Sequence, residues 1–136
     1  MKDLYFLILI LSFTSIDLSS SFDNDIRIKS NTIEFLEKNN QINFVNNVEI
    51  NSDFVNISAD SAVYDDIKDV ISILGKPSTI KSSKKDTSFN GKAEEIMFFN
   101  DEKIHLIGNA SMKYENISIS SNIIIFNPTT GKISSE

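Results

Sequence analysis

The sequence has no cysteine and no tryptophan, and only one histidine, four glycines and two prolines among its 136 residues. Without cysteine there is no disulfide, no thiolate metal site and no cysteine nucleophile, and the lone His105 excludes a multi-histidine metal site. Acidic residues outnumber basic ones by 19 to 13, the net charge is -6, and no basic block stands out. Nucleic acid is therefore not an expected partner. We expect no metal and no cofactor, and no catalytic constellation favours an enzyme.

The amino-terminal segment differs from everything that follows it. Residues 4–13 are almost continuously apolar, Lys2 precedes them, and Ser19, Ser20 and Ser21 follow. An apolar run of about ten residues suits a secretory signal peptide, whereas a membrane-spanning helix needs about 20. We therefore expect residues 1–21 to be a signal peptide that is cleaved after Ser21, and residues 22–136 to form one domain. The alternative is that the segment is kept as a membrane anchor.

From Ile26 onward, apolar and polar residues alternate, as in residues 26–29, 54–59 and 116–120. This period of two is typical of strands that bury one face. Clusters of polar residues, Gly and Pro separate the alternating stretches and predict turns; they are residues 37–40, 65–70, 100–103 and 127–131. The pattern predicts an all-β fold of antiparallel strands, with little or no helix after the signal segment.

A short phrase recurs along the chain. It holds a small residue, then polar or acidic positions, then an apolar residue and an aromatic one, and its four copies occupy residues 28–35, 57–64, 91–98 and 119–126. A polar turn and a second alternating stretch follow each copy. A two-strand repeat of about 30 residues cannot bury its own apolar face, so the copies must stack on one another. The repeats predict an elongated, layered β-structure with open ends.

These phrases resemble the OstA-like (LptA) family over residues 26–133. Gly75, Lys76 and Pro77 look like the Gly-Lys-Pro turn of that family, and Gly108, Asn109 and Ala110 look like its Thr-Gly-Asn-Ala segment. The resemblance implies a β-jellyroll that binds lipopolysaccharide in the periplasm of a Gram-negative bacterium and bridges the inner and outer membranes. The partners that it implies are an inner-membrane-anchored LptC-like protein, an outer-membrane LptD-like translocon and further copies of the chain, joined head to tail.

Alternation allows the side chains on the inner face to be named. They form an apolar trough that would cover the acyl chains of lipid A; its candidate residues are Ile26, Ile28, Ile42, Phe44, Ile57, Ile71, Ile73, Ile80, Ile104, Leu106, Met112, Tyr114, Ile117 and Ile119. Strands at the ends of an open sheet invite pairing with another chain. The candidate edge strands for assembly contain Ile26, Arg27, Ile28 and Lys29 at one end and Ile123, Ile124, Ile125 and Phe126 at the other.

Two other interpretations stay open. The inner face of any β-domain is apolar, so the chain is also compatible with a structural or adhesive repeat protein of the cell envelope. If the first 21 residues stay attached, the chain is instead a membrane-anchored, LptC-like relative that hands lipid to the bridge.

Three polar features have simple structural explanations. Alternation sends His105 to the face opposite Ile104 and Leu106, where a solvated strand residue is expected rather than a catalytic base. The acidic cluster in residues 65–69 lacks the order of a calcium loop and is predicted to be a solvated turn. Lys81, Lys84 and Lys85 lie in a predicted loop over residues 81–86, for which contact with phosphate is an alternative role.

Overall fold

The structure is a computed structural model that describes residues 6–17, 25–83, 88–101 and 103–136, and for residues 6–17 it describes the backbone alone. The predicted cleavage site after Ser21 lies outside the described residues, as do Lys84 and Lys85. The boundary between a signal peptide and a domain at residue 21 therefore stays a prediction.

Nine antiparallel strands form one sheet in which each strand pairs with the next along the chain. The strands are β1 (Phe6–Asp17), β2 (Arg27–Leu36), β3 (Gln41–Asn51), β4 (Val55–Asp65), β5 (Val70–Ser82), β6 (Phe89–Phe99), β7 (Ile104–Tyr114), β8 (Ile117–Asn127) and β9 (Lys132–Ser135). In the described ranges the only helix is a single 3₁₀ turn, Glu37–Asn39. None of the described residues belongs to a helix that is long and apolar enough to span a bilayer. The all-β prediction is confirmed.

The turns that follow β2, β4, β6 and β8 use the predicted polar clusters. Asn40 ends the 3₁₀ turn in the left-handed region, with φ of 52°. In the turn between β4 and β5 the Asp65 carboxylate accepts hydrogen bonds from the backbone N–H groups of Ile67 and Lys68, each at 3.0 Å. Asn127 plays the same part later, since its side-chain oxygen accepts the N–H of Thr129 at 2.9 Å. Short polar side chains that bond to nearby backbone N–H groups are what stabilise such turns.

A line of irregular pairing crosses the sheet near the middle of the strands. The register shifts between Lys29 and Thr32 on β2, and similar shifts occur in the pairings of β1 through β8. An irregularity of this kind bends a strand and increases its twist. We call this line the crease, because the sheet folds over along it.

The recurring phrase of the sequence marks the crease on every second strand. In β2, β4, β6 and β8 the small residue of the phrase and the apolar residue three positions later both lie on the inner side, although simple alternation would place them on opposite sides. The four pairs are Ser30 and Ile33, Ala59 and Ala62, Ala93 and Ile96, and Ser121 and Ile124. The side of a strand that faces inward therefore changes at the crease.

The intervening strands cross the crease with unusual backbone conformations. Asn46 and Asn47 of β3 have positive φ, and so do Gly108 and Asn109 of β7. Glycine and asparagine are the residues that adopt this region at least cost. In β5 the crease contains Gly75 and the cis Lys76–Pro77 peptide bond. The predicted Gly-Lys-Pro turn is thus a bend inside one strand and does not connect two strands.

The crease divides the sheet into two walls that enclose one core. Wall A comprises the described parts of residues 26–30, 48–59, 78–93 and 110–121, and wall B comprises those of residues 32–45, 61–74, 95–107 and 123–135. Buried side chains from both walls belong to a single apolar cluster. At one contact a Cβ atom added to Gly91 of wall A would lie 3.2 Å from Leu106 Cδ1 of wall B. The walls therefore face each other across the core.

Both ends of the sheet extend one strand beyond the predicted edges. At the amino-terminal end, Arg27, Ile28 and Lys29 pair with residues of β1. At the carboxyl-terminal end, β9 pairs with Ile124, Ile125 and Phe126. The apolar β1 and the short β9 therefore cover the predicted edge positions, because their backbones pair with those residues. Their role in assembly stays a prediction.

The strand β9 leaves part of β8 open. Within the described chain its four residues reach only the wall B half of β8, up to a hydrogen bond from the Glu136 N–H to the Ile123 carbonyl. The wall A half of β8, from Ile117 to Asn122, has a paired strand on one side only. This half is the open edge at the carboxyl-terminal end.

Candidate functional site

The interior is built from rows of apolar side chains that run across the strands. In wall A one row follows the strand register through Ile28, Ile50, Ile57, Ile80, Gly91, Met112 and Ile119. In wall B the facing row is Ile33, Phe44, Ala62, Ile73, Ile96, Leu106 and Ile124, and each of its members is at most 1% exposed. The two rows make a continuous apolar surface that runs along the axis of the molecule.

Most of the predicted trough residues lie in this interior. Ten of them are buried: Ile26, Ile28, Phe44, Ile57, Ile71, Ile73, Ile80, Ile104, Leu106 and Met112. Ile42, Tyr114 and Ile119 are half-buried and pack against the core. Ile117 is placed wrongly by the prediction, since it is 58% exposed. It begins β8 on the half that β9 does not reach, so within the described chain it has a strand, β7, on one side only.

On β2, β6 and β8, alternation missed the inner residues of wall B. Ile33, Ile96 and Ile124 are fully buried, yet they were not among the predicted trough residues. Each comes three positions after a small inner residue of the recurring phrase, where simple alternation gives the wrong face. The phrase itself contained the necessary signal, because its apolar residue repeats at that fixed distance from the small one.

The interior is packed shut and does not form the open trough that the alternation suggested. Phe44, Ile73 and Leu106, from the centre of wall B, are each no more than 1% exposed. Gly91 creates room for this close approach, since a Cβ atom there would lie 2.9 Å from the Ser111 carbonyl oxygen and 3.2 Å from the Leu106 side chain. A ligand enters this interior only if the walls separate.

Opposite the crease, the free margins of the two walls meet at a line that we call the mouth. Phe89 and Tyr114 stand at the margin of wall A, and Phe126 stands at the margin of wall B. The Phe126 ring lies edge-on to Phe89 with 4.6 Å between ring centroids, and 5.9 Å from Tyr114. A Cβ atom on Gly131, in the turn after β8, would lie 3.0 Å from the Tyr114 hydroxyl oxygen. We call Phe89, Tyr114 and Phe126 the aromatic clasp.

From β4 to β8 the outer surface of wall A is polar and carries three lysines. Two outward rows follow the register across β4 to β8: Asn56, Lys81, Asn90, Lys113 and Ser118 nearer the mouth, and Ser58, Thr79, Lys92, Ser111 and Ser120 nearer the crease. They line a shallow depression of about 550 Å³. We call these ten residues the lysine face. The structure thus places Lys81 in strand β5, although it was predicted to lie in a loop.

The titratable groups singled out in the sequence lie on the outside. His105 is half-buried on the outer side of wall B, with its ring 4.6 Å from that of Phe99, and desolvation lowers its pKa. Asp65 has a lowered pKa chiefly because its carboxylate accepts the Lys68 backbone N–H. The described residues contain no group of three or more His, Cys, Asp or Glu side chains placed to hold a metal ion.

Comparison with known proteins gives a matching family and solved structures of similar fold. The family described as LptA/(LptD N-terminal domain) LPS transport protein matches residues 27–132. The crystal structure of LptH from Pseudomonas aeruginosa, described as the LptA-homologous periplasmic component of the conserved lipopolysaccharide transport device, superposes with a TM-score of 0.73. The match covers 85% of each chain at 16% sequence identity. A search of curated proteins found no match.

Proposed function

Because this chain belongs to the LptA/LptD N-terminal domain family of lipopolysaccharide transport proteins, we propose that it carries lipopolysaccharide through the periplasm with the acyl chains held between walls A and B. The observation that carries the proposal is the pair of continuous apolar rows on the inner faces. Both rows run across the sheet without a charged residue, so they offer many similar positions to a sliding acyl chain.

The energetics favour an interior of this kind for such cargo. Exposing a methylene group to water costs about 0.8 kcal/mol, so an acyl chain of about twelve carbons costs roughly 10 kcal/mol when it is exposed. A lipid with several chains therefore needs continuous apolar cover along its whole length. The inner rows supply this cover without covalent chemistry, and the ends of the sheet are where the cover would continue into a neighbouring protein.

The acyl chains would enter through the mouth. The crease is continuous backbone in every strand, whereas the margins meet through side chains such as those of the aromatic clasp. An edge-to-face ring pair adds only about 0.5–1.5 kcal/mol beyond its buried area. Separating the walls at the mouth exposes apolar surface, and an entering acyl chain would cover that surface again.

Photo-crosslinking tests whether the interior takes up lipid. A photoreactive phenylalanine at Phe44 or Ile73 should crosslink to lipopolysaccharide, because both side chains lie in the inner row of wall B. The same probe at Asn43 or Ser72, which are neighbours on the outer side, is the matched control and should not label. Equal labelling at the inner and outer positions, or none at Phe44 and Ile73, would favour a packed structural repeat protein instead.

We also propose that the two ends of the sheet join this chain to its partners by strand addition. The partners would be an inner-membrane-anchored LptC-like protein at the amino-terminal end, and further copies or an outer-membrane LptD-like translocon at the other end. Extended strands pair readily with an open sheet edge. If residues 1–21 are removed on secretion, β1 leaves and β2 (Arg27–Leu36) becomes the amino-terminal edge. Mass spectrometry of the mature amino terminus distinguishes this processed form from an anchored one.

The open half of β8 supplies a test of this assembly. Ile117 is an exposed apolar residue on that half, and a charged side chain on an edge strand opposes pairing. Ile117→Lys should therefore shorten the species seen by sedimentation velocity while the circular dichroism spectrum stays the same. The control is Ile67→Lys, which adds the same charge at an exposed isoleucine in the turn between β4 and β5. Identical sedimentation of the two variants would contradict assembly through β8.

A further inference from the structure

The lysine face has a charge that contrasts with the rest of the chain. Its three lysines are exposed, and none of its ten residues is acidic, although the whole chain has a net charge of -6. No ion pair within the described residues involves Lys81, Lys92 or Lys113. Two carboxylates border the face: Glu49 pairs with Ser58 in the register, and Glu94, two residues after Lys92 on β6, accepts a hydrogen bond of 2.7 Å from the Asn109 side chain. The face is therefore complementary to an anion.

The spacing of the lysines favours an extended anion with more than one charged group. Lys81 and Lys113 lie in the same row on β5 and β7, with Asn90 of β6 between them. Two strand spacings separate the backbones of Lys81 and Lys113 by roughly 10 Å. Lys92 lies on β6, two residues and therefore roughly 7 Å from Asn90 in the direction of the crease. Ammonium groups bind phosphate as point charges, and the amides and hydroxyls between them pair with sugar hydroxyls. A phosphorylated oligosaccharide has both kinds of group.

The lysine face adjoins the mouth. Phe89 points inward while the next residue, Asn90, points outward, and the same holds for Tyr114 and Lys113. One residue along a strand spans only about 3.3 Å. A lipid whose acyl chains pass the aromatic clasp therefore has its polar part at the margin of wall A, within reach of the row that contains Lys81 and Lys113.

We propose that the lysine face binds the phosphorylated sugar headgroup of the lipid whose acyl chains lie between the walls. The inference rests on the proposed function and adds a second site to it: the cargo folds over the margin of wall A, with its chains inside and its phosphates on Lys81, Lys92 and Lys113. The tails would then slide along the inner rows while the headgroup exchanges between lysines on the outside.

The test is an NMR titration of the full protein with the fully deacylated, phosphorylated oligosaccharide of lipopolysaccharide. The oligosaccharide should shift the amide signals of Lys81, Lys92 and Lys113. The triple variant K81Q/K92Q/K113Q should bind about tenfold more weakly or worse, because it loses charge-assisted hydrogen bonds. The matched control K38Q/K68Q/K132Q removes three exposed lysines from the turns and β9 and should bind like the wild type.

Three results would overturn the inference. They are equal binding by the two triple variants, undiminished binding of the oligosaccharide after its phosphates are removed, and binding of inorganic phosphate alone as tight as that of the oligosaccharide. The last result would identify a free-phosphate site.

Crosslinking with intact lipopolysaccharide tests the carrier function separately from this inference. Crosslinking at Phe44 tests the interior alone, since its side chain lies in the inner row of wall B. If Phe44 is labelled but the lysine variants bind the oligosaccharide equally, the carrier function stands and the inference fails. If the oligosaccharide binds at the lysines but Phe44 is not labelled, the carrier function fails and the headgroup site remains.

Discussion

The crease and the mouth hold the same two walls together in different ways. At the crease the inner side chains are small, as with Ser78, Ala93 and Ala110, and the backbone runs through unbroken. At the mouth the inner side chains are large rings, and they meet without any covalent link. Small residues at the apex and large ones at the margin fill a wedge. The crease therefore fixes the angle between the walls, while in the proposed function the mouth is where they part.

Enlarging a side chain at the crease should have the largest effect. Ala93 is 1% exposed and pairs with the buried Ser78, so Ala93→Phe has no free volume to occupy. Overpacking of this kind should lower the free energy of unfolding by about 3 kcal/mol. Urea denaturation followed by circular dichroism measures it. The control is Lys92→Phe on the outer side, which should change stability little, and equal effects of the two changes would contradict a tightly packed crease.

Adding a side chain at a crease glycine with positive φ should have the next largest effect on the free energy of unfolding. Gly108 has φ of 87°, and a Cβ atom there would lie 2.6 Å from a carboxylate oxygen of Glu94. Gly108→Ala should cost about 1–2 kcal/mol because an L-residue with a side chain is strained in this region. Asparagine tolerates positive φ better, so Gly108→Asn should cost less in the same denaturation experiment. An alanine variant as stable as the wild type would show that β7 crosses the crease in another conformation.

Weakening the mouth should affect stability modestly and lipid uptake strongly. Phe126→Leu keeps an apolar side chain, somewhat smaller, but removes the ring contacts with Phe89 and Tyr114, at a cost of about 1 kcal/mol. It should also speed the capture of a fluorescent lipopolysaccharide in stopped-flow mixing. Phe44→Leu is the matched control, since it makes the same change in the middle of wall B. If both variants capture lipid at the same rate, the mouth is not the entrance.

The smallest effect is expected from His105, on the outer side of wall B. Desolvation lowers its pKa in the folded chain, so the unfolded chain binds a proton more readily. Its contribution to stability is therefore lost as the pH falls through the unfolded value of about 6.5 toward the lower folded value. Thermal unfolding at about pH 7.5 and about pH 5.5 should show a slightly smaller decrease for His105→Gln than for the wild type. A larger decrease in the variant would reverse the sign of this effect.

Much of the fold follows from period-two alternation, because a strand that is buried on one face shows its pattern locally. Alternation and the turn clusters predicted β2 to β8, the turns after β2, β4, β6 and β8, and the inner residues Ile57, Ile73 and Leu106. They did not predict β1, which lies in the segment expected to be a signal peptide. Alternation alone does not predict the crease, because the inward face of a strand changes there, and only the fixed spacing within the recurring phrase marks it. Ile124 illustrates the consequence, since it was predicted to lie on an edge strand but is fully buried in the row that runs through Leu106.

The outer surface was harder to predict from the sequence than the interior. Lys81, Lys92 and Lys113 are far apart along the chain, and only the strand register brings them onto one face. The aromatic clasp is similar, because Phe89 and Phe126 belong to opposite walls. Their meeting depends on the fold angle at the crease, which the local sequence does not encode.

Linking the two margins tests the central claim that lipid enters when the walls part at the mouth. The chain has no cysteine, so Phe89→Cys with Phe126→Cys introduces one thiol pair, across the mouth, for a short bis-maleimide. Phe89→Cys with Tyr114→Cys is the control pair, because these residues are register partners within wall A. Linking Phe89 to Phe126 should abolish capture of lipopolysaccharide, while the linked control and both unlinked variants should capture it. Capture by the cross-linked mouth at the unlinked rate would show that lipid does not enter between these margins.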